Sequence, residues 1–215
     1  MSAPFSKISK GPANAAGTST SPQSLQMDRQ NTIVEAVGDA GTAVALQSSF
    51  LIYGPQTALT SITTAQNLFS QSLNAGVLNK LNRILQITGS LVYTSPGTTT
   101  PTISIAVVLG SVTLCTITTA AISSTASTNL PIQFFFTLQV TTTGTSGALE
   151  VHGNVSANIT ANTPAAAVAA YLDTNTAASS TLDLTAAQTL KVTIASSGAG
   201  ITGATLRQAL VEVIN

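Results

Sequence analysis

At 215 residues the chain is long enough for one sizeable domain, or a domain with an arm. Charged side chains make up 7% of it, against about 25% in an ordinary soluble domain, and seven basic residues balance seven acidic ones. That balance supplies neither a nucleic-acid-binding field nor a funnel for acidic substrates, and the single cysteine, Cys115, excludes an intrachain disulfide and a cysteine-based metal cluster.

The opening, Met1 to Lys10, carries positive charge with no apolar segment behind it, so it does not read as a secretory signal and synthesis in a cytosol is expected. From Met1 to about Gln30 the chain is rich in Ser, Pro, Gly, Ala and Gln without hydrophobic period. Such a composition buries too little to fold alone, and residues 1–30 read as a flexible, slightly basic N-terminal arm. Residues 31–215 read as one β-sandwich domain, because short β-branched stretches alternate there with clusters of Thr, Ser, Asn, Gly and Pro.

Ser70 to Asn82 is the one place where a helical turn or two could form, although Asn74, Gly76 and Asn79 favour an irregular connection. Period-two strands follow at Leu85, Ile87, Leu91 and Tyr93, and at Ile103, Ile105, Val107 and Leu109. Pro131 to Thr141 is the clearest strand. Ile132, Phe134, Phe136, Leu138 and Val140 point one way, toward a core, and Gln133, Phe135, Thr137, Gln139 and Thr141 the other. Leu149 with Val151, and Leu190, Val192 and Ile194, repeat the pattern. Turns are expected at Ser95-Pro96-Gly97, at Leu109-Gly110-Ser111, from Thr143 to Gly147 and from Ser196 to Gly200. Thr205 to Ile214 is ambiguous, since Leu206, Leu210 and Ile214 also suit a helix, but Val211 and Val213 favour a closing strand. The fold class read from this is all-β, a jelly-roll-like sandwich with low helix content.

No catalytic, cofactor-binding or metal-binding residues are assigned, and no cofactor is expected. The sole histidine, His152, shares a strand face with Glu150 and that face reads as the wet one, while Cys115 sits in a strand interior without an evident base. Asp173 and Asp183 are the only close carboxylates in the folded half, in surroundings that read as a loop and a strand edge, and Asp173 with Asn175 is at most a fragment of a calcium site. The sequons at Asn154 and Asn158 are expected by chance in so Asn- and Thr-rich a chain. Every apolar run ends before the roughly 18 residues of a spanning helix, and a chain with three Tyr and no Trp lacks the aromatic girdles of a membrane barrel. Neither a membrane nor nucleic acid is an expected partner. From Ile84 through Leu149 no side chain carries a charge, and a solvated monomer would ordinarily place charges of both signs there, so part of this interval is expected to be covered by another subunit.

The stretch Leu78-Asn-Lys-Leu-Asn-Arg-Ile-Leu-Gln-Ile-Thr-Gly-Ser-Leu-Val-Tyr, with Thr98-Thr-Thr-Pro-Thr-Ile-Ser-Ile-Ala-Val-Val-Leu-Gly, resembles structural proteins of tailed bacteriophages and prophages. Pro131 to Val140 and Gly144 to Gly153 look like the same pattern of a long core strand, a Gly-rich turn and a returning strand. The resemblance implies a virion component without catalytic residues. The expected function is a capsid decoration or cement protein, a homotrimer bound to the major capsid protein on the outer surface of a phage head and made in the cytoplasm of the bacterial host. The alternative is a tail-fibre or receptor-binding domain that holds host glycan. A bacterial adhesin or carbohydrate-binding module fits less well, for want of an export signal.

Overall fold

The computed structural model describes residues 25–27, 33–37, 43–44, 51–53, 56–159, 168–198 and 200–214. The chain divides into two compact units, Met1–Ser49 and Phe50–Asn215. Most of the expected arm, residues 1–24 and 28–30, lies outside the described residues. In the first unit β1 (Leu25–Met27), β2 (Ile33–Val37) and β3 (Ala43–Val44) form a three-stranded antiparallel sheet, with Gln26 opposite Glu35 and Ala36 opposite Val44.

The second unit is an antiparallel β-sandwich, and no helix occurs among the described residues. Its strands are β4 (Leu51–Tyr53), β5 (Leu59–Thr60), β6 (Gln66–Leu73), β7 (Ile84–Ser95), β8 (Ile103–Leu109), β9 (Val112–Thr118), β10 (Ser127–Thr142), β11 (Gly147–Asn158), β12 (Val168–Leu182), β13 (Gln188–Ser196) and β14 (Gly203–Ile214). The larger sheet runs β12-β11-β10-β7-β14-β4, with β5 also paired to β14, and the smaller runs β6-β13-β8-β9. Four pairings are nested: β8 with β9, β7 with β10, β6 with β13 and β5 with β14. Successive nested pairs fall in alternate sheets, so one long antiparallel ribbon is wrapped around a common core. The hairpin of β11 and β12 is added beyond β10.

Alternation along each strand builds the core. On β10 the even-numbered residues Leu130 to Val140 are buried, on β7 Leu85, Ile87, Leu91 and Tyr93, on β8 Ile103, Ile105, Val107 and Leu109, and on β13 Leu190, Val192 and Ile194. Each such side chain contributes about 1.5–3 kcal/mol relative to leaving it in water, and the two inner faces form one apolar cluster. A larger residue does not fit at every inward position. A Cβ on Gly89 would overlap the ring of Phe134, so β7 carries glycine where that ring crosses it. The β8–β9 hairpin turns through Gly110-Ser111, where Gly110 takes φ +60°, the left-handed value that a two-residue turn with Gly first requires.

Two expectations are corrected. Ser70 to Leu73 is the end of β6 and not part of a helical turn, because pairing with β13 continues to Leu73 opposite Gln188. The irregular connection is confined to the residues after it, where Val77 and Asn79 donate backbone hydrogen bonds to Asn74 and Gly76. Tyr171 to Asn175, read as a loop, lies within β12, whose partners on β11 run from Val155 opposite Tyr171 to Val151 opposite Asn175. The closing segment from Thr205 is a strand, β14, an interior strand of the larger sheet between β7 and β4.

Candidate functional site

The outward faces of the two sheets differ in shape and chemistry. On the smaller sheet, register aligns Thr118 with Ser104 and Ala195, Thr116 with Ala106, Thr193 and Asn67, and Thr113 with Val108, Lys191 and Ser70. These are small neutral side chains with one cation among them, and Ser104 and Thr118 join their hydroxyls at 2.8 Å across the strands.

On the larger sheet the outward residues of four adjacent strands form a groove of about 500 Å³. One row across it is Ser156, Gln133, Ser90 and Gln208, and the next is Asn154, Phe135, Thr88 and Leu210. Gly89, Phe134 and Ala209 also contribute to its lining. Arg207 is an extra residue in β14, between Leu206 opposite Leu91 and Gln208 opposite Ser90, and a bulge of this kind bends and twists the strand that carries it. Phe135 stands in the groove with 38% of its surface exposed, whereas its chain neighbours Phe134 and Phe136 are buried on the other side of the sheet. No hydrogen bond among the described residues engages the side chains of Gln133, Asn154, Ser90, Thr88, Ser156 or Gln208. Arg207 is exposed beside Gln208 at the bulge, and the next row, His152, Thr137, Gln86 and Glu212, brings further ionisable groups.

The structure places the other sequence candidates as follows. His152 Nε2 lies 3.1 Å from Glu150 Oε1 on the wet face of β11, where both side chains are well exposed. The Cys115 thiol is buried, opposite Val107, and forms no disulfide. His152 and Cys115 are therefore on different sheets, one outside and one inside, and form no nucleophile–base pair. Asp173 pairs with Gly153, while Asp183 follows Leu182, which pairs with Gly147. Six residues of extended strand separate those partners, about 20 Å along β11, so the register does not bring the two positions side by side. Asp183 serves its own turn. Its Oδ1 accepts hydrogen bonds from Thr185 Oγ1 at 2.5 Å and from the Thr185 backbone N–H at 2.9 Å, which hold the carboxyl below its usual value. Its backbone carbonyl accepts from Gln188 Nε2.

No family model matches the chain, and no curated protein matches it. The site therefore rests on geometry and chemistry alone. Among the described residues no group of three or more His, Cys, Asp or Glu is placed to hold a metal ion, and no helix is long and apolar enough to cross a membrane. Sequence reasoning put Phe135 on the outward face but did not find the groove. The signal available was the run of amides and hydroxyls at outward positions of β7, β10 and β11. It becomes a site only when strand register aligns those positions.

Proposed function

We propose that this chain is a non-enzymatic structural protein of a virus particle, a decoration or cement protein that binds the major capsid protein on the outer surface of a phage head as a homotrimer and stabilises it. The observation that carries this reading is the outward face of the smaller sheet. The uncharged interval supplies β8 and β9, whose outward Ser104, Ala106, Val108, Thr113, Thr116 and Thr118 are small and neutral. Another protein surface can pack there with Lys191 as the one formal charge in the aligned rows, and so without the desolvation cost that burying many charges entails. The nested strand pairings support a jelly-roll winding, an architecture used by viral capsid and lectin domains among others. The segments that carry the resemblance to phage structural proteins supply β7, β8, β10 and β11. Residues 1–30 would act as a strap across neighbouring capsid subunits, with the protein made in the cytoplasm of the bacterial host.

Quantitative protein analysis of purified, fractionated particles tests this. The chain should stay with the heads in numbers comparable to the major capsid protein, and sedimentation of the isolated protein should show a trimer. Retention with tails in a few copies, or absence from particles, overturns the cement reading.

A further inference from the structure

We infer that the groove around Phe135 on the larger sheet is a binding site for a neutral oligosaccharide, a second surface independent of the assembly face. The groove is interior to its sheet, so the backbone of its strands is already paired on both sides and recognition falls to side chains. Those side chains are of two kinds. Phe135 offers a half-exposed aromatic face, which suits the C–H side of a sugar ring. Around it Gln133, Asn154, Gln208, Ser90 and Thr88 offer amide and hydroxyl groups that donate and accept alike, and no hydrogen bond among the described residues uses them. Vicinal sugar hydroxyls need that mixed capacity.

Charge narrows the ligand class. The residues that line the groove include no ionisable side chain, while Arg207, exposed beside Gln208, and the row of His152 and Glu212 lie outside that lining, so a phosphate or carboxylate within the groove would find no counter-ion among the lining residues. A single exposed Phe on a surface needs no explanation by itself. Here it stands in a concavity of about 500 Å³ that matches the usual range for small-molecule sites, ringed by uncommitted polar groups. With strands about 4.8 Å apart, four columns of residues span about 14 Å, room for a short run of sugar rings. An added peptide strand would instead seek an open sheet edge.

The full chain is titrated by calorimetry and by chemical-shift perturbation with maltohexaose, cellohexaose and mannohexaose, and with sialyllactose as a charged control. Expected is saturable binding of at least one neutral hexaose in preference to sialyllactose. Phe135→Ala should weaken it by about tenfold or more, Phe135→Tyr should keep it, and Gln133→Ala and Asn154→Ala should each weaken it with the thermal midpoint unchanged. The inference is overturned if none of the three neutral probes binds, if Phe135→Ala binds as tightly as the parent, or if sialyllactose binds as well as the hexaoses. It is overturned equally if Phe135→Ala abolishes self-association, which would make the groove a contact between copies. Loss of glycan binding with the trimer intact separates this site from the assembly reading.

Discussion

The inner and outer faces of the larger sheet are made by the same strands and obey opposite rules. Inside, β10 presents Leu130, Ile132, Phe134, Phe136, Leu138 and Val140, all buried, and space is so tight that β7 carries glycine under the Phe134 ring. Outside, the same strand presents Gln133, Phe135, Thr137 and Gln139, and the surface opens into a groove. One face is specified by volume, the groove on the other by hydrogen-bonding capacity. Substitutions on the two faces should therefore fail in different ways.

The largest difference is expected between adjacent phenylalanines. Phe136→Ala empties a fully buried site and should cost about 3–5 kcal/mol in denaturant unfolding. Phe135→Ala should cost less than about 1 kcal/mol, since its ring already meets water. Equal losses would mean that the outer face is structural after all. Next, Gly89→Ala tests whether volume governs the inner face. The new methyl must displace the Phe134 ring, and about 1–3 kcal/mol of destabilisation is expected; a neutral or stabilised variant would show that the ring moves freely.

A smaller effect is expected where an inner residue reaches the rim. Tyr93 is buried, and its hydroxyl donates to the carbonyl of Asn158 at 2.6 Å, tying β7 to the end of β11. Tyr93→Phe should cost about 1 kcal/mol, measured by chemical denaturation. The smallest concerns Asp183, in an exposed turn outside both faces. Its carboxyl is held below its usual value first by the Thr185 hydroxyl and then by the Thr185 backbone N–H. A folded-state value lowered in this way adds stability at and above the usual carboxylate range, lost as the pH falls through the folded value. Asp183→Asn should therefore have a slightly lower thermal midpoint than the parent at neutral pH, and the gap should close on acidification below that range. A gap that widens in acid would reverse the sign of this contribution.

Much of the inner face was legible in the sequence, because period two in β7, β8, β10 and β13 is a local property that burial enforces. His152 and Glu150 were placed on the wet face, and Cys115 in the interior, by the same reasoning. β14 looked partly helical for a physical reason. Leu206, Leu210 and Ile214 recur every four residues, but the extra Arg207 shifts the phase of the strand, so Leu206 is buried in the core while Leu210 lies in the groove row and Ile214 is exposed. β6 was half hidden likewise, since Leu68 and Phe69 are both buried where the register with β13 shifts. β12 escaped because its Ala, Thr, Ser and Asn residues carry little strand signal, and pairing with β11 holds it. The groove was out of reach for another reason. Its members come from four strands, and no local pattern states that Asn154, Phe135 and Thr88 lie side by side.

The nested pairing also sets the order in which this sandwich can be made. β14 lies between β7 on one side and β4 and β5 on the other, so the larger sheet is cut in two until β14 has been synthesised. During translation the innermost hairpin, β8 with β9, can form early, but β4 and β5 wait for a partner from the far end of the unit. Folding dominated by such distant pairings is slow, on the order of milliseconds to seconds. While a nascent chain waits, one side of β7 is left with unpaired backbone groups, and that edge can recruit a strand from a neighbouring chain. A protein made in many copies on one message would then be exposed to crossed pairing, and the near absence of charge along β7 leaves little repulsion to prevent it.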